Sequence, residues 1–107
     1  MSPSQLEIKT RALGRLIKEE TIYHDEVKEQ EGVIASMKSA DADEYEIKKQ
    51  VEVLEDTKKM IPLLREKIQQ SLESLEQFLK DYTGEDSLDS ASANIATAKK
   101  VLSTNAQ

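Results

Sequence analysis

The chain contains no cysteine and no tryptophan, and only 2 prolines and 3 glycines among its 107 residues. Without cysteine there is neither a disulfide framework nor thiol chemistry, which fits the cytosol. With so little glycine and proline, frequent tight turns are excluded, and so is a sheet-rich fold punctuated by them. Aromatic residues make up 4%. A thick globular core is therefore not available, and a thin core of Leu, Ile and Val is what the chain can build. No apolar run is long enough to span a bilayer. The opening stretch Met1-Ser2-Pro3-Ser4-Gln5 lacks the apolar region of a signal peptide. The formal net charge is -6 with both signs interspersed. No basic block exists to neutralise phosphates or to bind an anionic membrane, so neither nucleic acid nor a membrane is expected as a partner.

What the chain has in quantity is charge, 34%, with 37% hydrophobic residues. That balance belongs to long helices and coiled coils. The stretch Glu44–Tyr82 organises the rest. Stepped by sevens from Ile47 it reads Ile47, Leu54, Ile61, Ile68, Leu75 and Tyr82, all apolar or aromatic. A looser companion seam contains Thr57, Leu64 and Phe78. Seven residues are two helical turns, so these positions form one stripe on a helix about 58 Å long. Such a helix cannot stand alone in water, and other parts of the chain must lie along it.

The first segment supplies Leu6, Leu13, Glu20, Val27 and Ile34 at the same spacing, with Leu16, Tyr23 and Met37 beside them. Glu20 and Gln30 interrupt the seam, as polar residues do where they set register and partner choice. Ser2 or Ser4, the latter with Glu7, can cap its start. Ser39–Asp43 reads as a short polar turn, which makes the flanking helices antiparallel neighbours. Asp41 with Glu44, or Asp43 with Glu46, caps the long helix. Pro62 lies inside that helix. Two helices meeting near Ile61 is one reading. The unbroken seven-residue phase from Leu54 to Ile68 favours one helix kinked at Pro62. Thr83–Asp86 forms the second turn, with Gly84 as a left-handed cap. A shorter third helix carries Leu88, Ile95 and Leu102, with Ala91 and Ala98 permitting close approach. The tail, Thr104–Gln107, is expected to fray.

The expectation is a single all-α domain over residues 1–107. It is an antiparallel, left-handed three-helix bundle with helices near 4–38, 44–82 and 87–103. Apolar residues beside the long helix's stripe, Val53 and Met60 among them, are expected to meet a second partner helix.

No catalytic constellation is legible, so an enzyme is not expected. His24 has Glu20 and Glu31 nearby in sequence, but zinc sites need three or four strong ligands and di-metal bundles need paired Glu-x-x-His motifs. His24 is read as a flanking helix residue, with no metal and no cofactor. The carboxylates interleave with lysines, as Glu55 does with Lys58 and Lys59, in the manner of a solvated helix face. Tyr23, Tyr45 and Tyr82 are spaced along the chain and read as structural. What remains is a binding protein that works through its surface.

Several strings carry a resemblance. Ile8-Lys9-Thr10, Arg15-Leu16-Ile17-Lys18-Glu19-Glu20 with Tyr23, and Lys28-Glu29-Gln30-Glu31 resemble the first helix of the tubulin-binding cofactor A family. Tyr45 through Leu54 and Met60-Ile61-Pro62 resemble its middle helix. The resemblance covers residues 5 to 80. The third segment matches mainly in length and pattern. It implies a cytoplasmic, cytoskeleton-associated chaperone without nucleotide chemistry. Such proteins capture β-tubulin after the chaperonin, hold it as a quasi-native intermediate, and pass it towards αβ-heterodimer assembly. Other tubulin-folding cofactors are further candidate partners, and a homodimer stays open. Candidate partner-binding residues are Lys9, Arg15, Lys18, Tyr45, Lys48, Lys49, Gln50 and Glu52. For each of these the alternative is a plain solvated face. The alternative for the whole chain is a generic three-helix adaptor of the spectrin-repeat kind, although such repeats usually carry a tryptophan in the first helix. An oligomerising coiled coil is the third reading.

Overall fold

The computed structural model describes residues 2–104. Three helices follow one another: α1 (Gln5–Ser39), α2 (Glu44–Lys80) and α3 (Asp89–Ser103). No strand occurs among the described residues. The molecule measures 63 × 30 × 17 Å with a radius of gyration of 18.6 Å. A compact chain of this length has about 13 Å, so this one is a rod, as its thin supply of apolar residues requires. The Asn105–Gln107 part of the tail lies outside the described residues.

α1 begins where the Ser4 side chain accepts a hydrogen bond from the Glu7 amide at 3.1 Å, so Ser4 and not Ser2 is the cap. Its end is a Schellman closure. The Asp41 amide donates to the Lys38 carbonyl at 3.2 Å and the Ala42 amide to the Met37 carbonyl at 3.0 Å. Asp41 adopts the left-handed conformation this needs, with φ 55°. Asp43 precedes α2 but forms no side-chain cap. Glu44 and Glu46 place negative charge at the helix's positive end instead.

α2 runs through Pro62 as one helix of 37 residues. The proline is exposed, and the apolar phase continues across it with Ile61, Leu64 and Ile68 all buried. The helix closes at Lys80, two residues before the expected Tyr82, and the connection to α3 is correspondingly longer. The left-handed role expected of Gly84 does not hold, since no glycine has positive φ. Its lack of a side chain serves a different purpose. A Cβ there would collide with the Tyr82 hydroxyl, so glycine lets that ring fold against the loop. The Tyr82 hydroxyl donates to Asp86 Oδ2 at 2.9 Å. Tyr82 also packs edge-on to Phe78, with ring centroids 5.7 Å apart.

α3 covers only one half of the α1–α2 hairpin. The core joins Leu6 and Leu13 of α1, Ile68, Leu72 and Leu75 of α2, and Ala91 and Ala98 of α3. The two alanines are almost wholly buried, as expected of small residues that allow helices to approach. Asn94 adds a polar tie by donating to the Thr10 carbonyl at 2.9 Å. Beyond the end of α3 the rod is two helices thick. Val53 (50% exposed) and Met60 (38%) therefore meet no second helix, contrary to expectation. They lie on the side of the hairpin that α3 does not occupy.

Candidate functional site

Half-way along the rod the seam is polar. Glu20 is buried, and Arg65 Nη1 approaches its Oε2 at 3.0 Å. The other guanidinium nitrogen, Nη2, donates to the carbonyls of Leu102 and Thr104 at 3.2 and 2.6 Å. One side chain of α2 thus joins α1 to the end of α3, with a positive charge placed against unpaired carbonyls at the negative end of that helix. His24 Nε2 also lies 3.1 Å from Glu20 Oε2. Glu31, the other carboxylate near His24 in sequence, points instead to Lys58 Nζ at 4.0 Å. Among the described residues no group of three or more His, Cys, Asp or Glu is gathered in metal-binding fashion. The cluster is a register device: it fixes how the three helices slide against one another.

A second polar step lies towards the hairpin tip. Gln30 Nε2 donates to the Gln50 carbonyl at 3.0 Å and to Gln50 Oε1 at 2.7 Å. Gln50, a candidate for partner binding from sequence, is therefore engaged inside the hairpin. Lys9 is likewise tied to α2, its Nζ 2.9 Å from Ser74 Oγ. Arg15, Lys18, Lys48 and Glu52 are exposed. Tyr45 is 62% exposed, with Lys49 Nζ 4.6 Å above its ring. That cation–π contact holds both side chains in place on the surface. The eight residues do not converge. Gln30, beside Gln50, lies about 18 Å along α1 from Lys18 at 1.5 Å per residue. Lys9, Arg15 and Lys18 thus occupy the three-helix half, and the Tyr45–Glu52 group the two-helix half.

Shallow grooves line the rod. One of about 220 Å³ lies between the helices in the two-helix half, bordered by Glu26, Glu29, Gln30, Val33, Val53 and Thr57. Another, of about 260 Å³, is formed along α2 by Met60, Leu63, Leu64, Glu66, Lys67 and Gln70. Neither brings together a nucleophile and a base. No helix among the described residues is long and apolar enough to cross a membrane.

A polar-keyed helical rod with one two-helix half exposed is a surface-binding helical bundle. The comparisons narrow that class. The family model of tubulin binding cofactor A matches residues 1–102, and the chain belongs to that family. It is 48% identical over 103 residues to the tubulin-specific chaperone A of Saccharomyces cerevisiae, covering 95% of this chain and 97% of that one. It is 40% identical over 76 residues to the mouse (Mus musculus) protein of the same name, covering 71% and 70%. Among solved structures, Rbl2p, described as a β-tubulin binding post-chaperonin cofactor, superposes with a TM-score of 0.88 at 46% identity. That match covers 94% of this chain and all of the other. The tubulin folding cofactor A structure from Arabidopsis thaliana gives 0.81 at 30% identity, over 89% and 92% of the two chains.

Arg65, Asn94 and the apolar side opposite α3 were not singled out from sequence. Glu20 supplied a signal as a charged residue in an apolar seam, which needs a buried partner. Arg65 carried none, because in sequence it is one more cation in a mixed-charge helix.

Proposed function

We propose that this protein is a tubulin-folding cofactor that binds β-tubulin folding intermediates and holds them on the way to αβ-heterodimer assembly. The observation that carries the reading is the match to tubulin binding cofactor A over residues 1–102, on a fold that superposes along nearly its whole length with a β-tubulin binding cofactor. The family assignment also sets aside a generic adaptor. The protein acts by binding and without a catalytic step, in the cytoplasm and in the service of the cytoskeleton. Other tubulin-folding cofactors are the partners to which it would hand its client.

The physical terms are constrained. The chain carries -6 and tubulins as a class are acidic, so long-range charge does not steer the encounter. Affinity must come from apolar contact and a few local polar groups. Arg15, Tyr45, Lys49, Lys18 and Glu52 are exposed and free to contribute, Lys48 is exposed on the far side of α2, and Lys9 and Gln50 are already engaged with α2 and α1.

Gel filtration of the purified protein with β-tubulin released from the chaperonin tests this. A complex should form without nucleotide or metal, and native αβ heterodimer should not replace free β-tubulin in it. Absence of a complex at micromolar concentrations of both overturns the reading.

A further inference from the structure

The two flanks of the α1–α2 seam differ sharply. On one flank lie the residues four places after seam positions. Thr10 and Ile17 follow Leu6 and Leu13, and Arg65 and Leu72 follow Ile61 and Ile68. This flank receives α3: Asn94 bonds the Thr10 carbonyl, Ile17 and Leu72 enter the core, and Arg65 bonds the end of α3. On the other flank lie the residues one place before the seam, Val33 on α1 and Val53 and Met60 on α2, with Ile22 and Leu63 next to them on the helix surface. These five are 41%, 50%, 38%, 46% and 52% exposed in that order. Most of the large exposed apolar side chains of the rod thus collect on the side turned away from α3. Scattered exposed apolar residues are ordinary on a protein surface, whereas a run along one side marks a contact surface.

The charge along this flank is specific. The groove at Met60 and Leu63 carries both Glu66 and Lys67, whereas in the groove between Val33 and Val53 the charged lining residues are the two carboxylates Glu26 and Glu29. Desolvating two carboxylates there is costly unless the occupant brings a cation. The chemistry that fits is an apolar segment carrying a Lys or Arg.

We infer that the flank of the α1–α2 hairpin opposite α3, centred on Val33, Val53 and Met60, is the surface on which β-tubulin docks, through an apolar segment bearing a basic side chain. The inference rests on the proposed function and assigns its surface. Burial of Val33, Val53 and Met60 supplies the affinity, and Glu26 and Glu29 select the basic group. Of the sequence-derived candidates, Arg15 and Lys49 border this flank by their register. Lys48 lies on the opposite one, beyond the reach of α3, and contributes little. The division of labour follows from the fold: α3 consolidates one flank, and the other stays open to a client.

The test is gel filtration with light scattering and a binding titration against β-tubulin. It uses the unaltered chain, the double variant V33E/V53E, the double variant E26K/E29K, and K48E. All altered side chains are exposed, so helicity and melting should stay as they are, and circular dichroism checks this. V33E/V53E and E26K/E29K should each weaken binding at least tenfold, and K48E less than twofold. Undiminished binding by V33E/V53E, or a loss confined to K48E, overturns the assignment of the surface while leaving the function standing. Stronger binding by E26K/E29K overturns the basic character of the client segment. If the unaltered chain is a dimer that V33E/V53E converts to monomer, the flank belongs to a second copy and the inference fails. If the unaltered chain forms no complex at all, the function fails first and the surface with it.

Discussion

Glu20 and Arg65, 45 residues apart in sequence, meet at 3.0 Å near the middle of the rod with little of either side chain exposed. Through the Leu102 and Thr104 carbonyls at the end of α3 that Arg65 also binds, this pair marks the boundary between the three-helix and two-helix halves. A polar residue in an apolar seam costs stability when its partner is absent, so the pair penalises slipped registers.

Arg65→Ala should therefore destabilise the protein by about 3 kcal/mol, because it leaves the buried Glu20 carboxylate with only His24 as a partner and releases the α3 terminus. Glu20→Leu combined with Arg65→Met should recover most of that loss, since neither charge is then left unpaired. Urea denaturation followed by circular dichroism measures both. A double variant as unstable as Arg65→Ala would show that the carbonyl contacts, not the ion pair, dominate.

Ile68→Ala should cost about 2–5 kcal/mol, and Val53→Ala no more than about 0.5 kcal/mol. Both residues are apolar and on the same helix, but Ile68 is completely buried and Val53 is half exposed. Equal losses in thermal melts would mean that the flank opposite α3 is covered in the protein itself.

The two helical glycines should respond in opposite ways. Nothing lies within 4 Å of a Cβ placed at Gly32, so Gly32→Ala should stabilise by about 1 kcal/mol through helix propensity. At Gly14 a Cβ would come 3.0 Å from Asn94 Nδ2, a group held in place by its bond to the Thr10 carbonyl. Gly14→Ala should forfeit the propensity gain by pushing α3 outward. Denaturation midpoints decide it, and a stabilised Gly14→Ala would show that Asn94 yields freely.

The Tyr82 hydroxyl has its pKa raised above the ordinary 10.0, chiefly because it donates a hydrogen bond to Asp86, with desolvation adding to the effect. Asp86→Ala should move it back down, as seen in a spectrophotometric titration of the phenol absorbance. The linkage sign follows. The neutral phenol is favoured in the folded state, so this contribution to stability is present below pH 10 and is lost as pH rises through the folded-state value.

The sequence by itself determined the three helices, their order and the antiparallel hairpin, and it favoured one helix through Pro62 over two, a choice the structure settled. Each depends on periodicity or on a local signal: the seven-residue stripe, the Ser4 cap before Glu7, and the polar turn after Ser39. The strings around Tyr45–Leu54 and Met60–Pro62 also carried the family. Tertiary structure alone decided which flank of the hairpin α3 would cover. A seven-residue repeat defines a seam but treats the positions on its two sides alike, so Val53 and Met60 read as core until α3 is seen to lie elsewhere. Packing also showed Gln50 and Lys9 to be engaged internally, because hydrogen bonds to Gln30 and Ser74 join residues 20 and 65 positions apart. Arg65 gained its role in the same way: a cation acquires specific meaning only when folding brings a buried carboxylate and the bare carbonyls of a helix end within its reach.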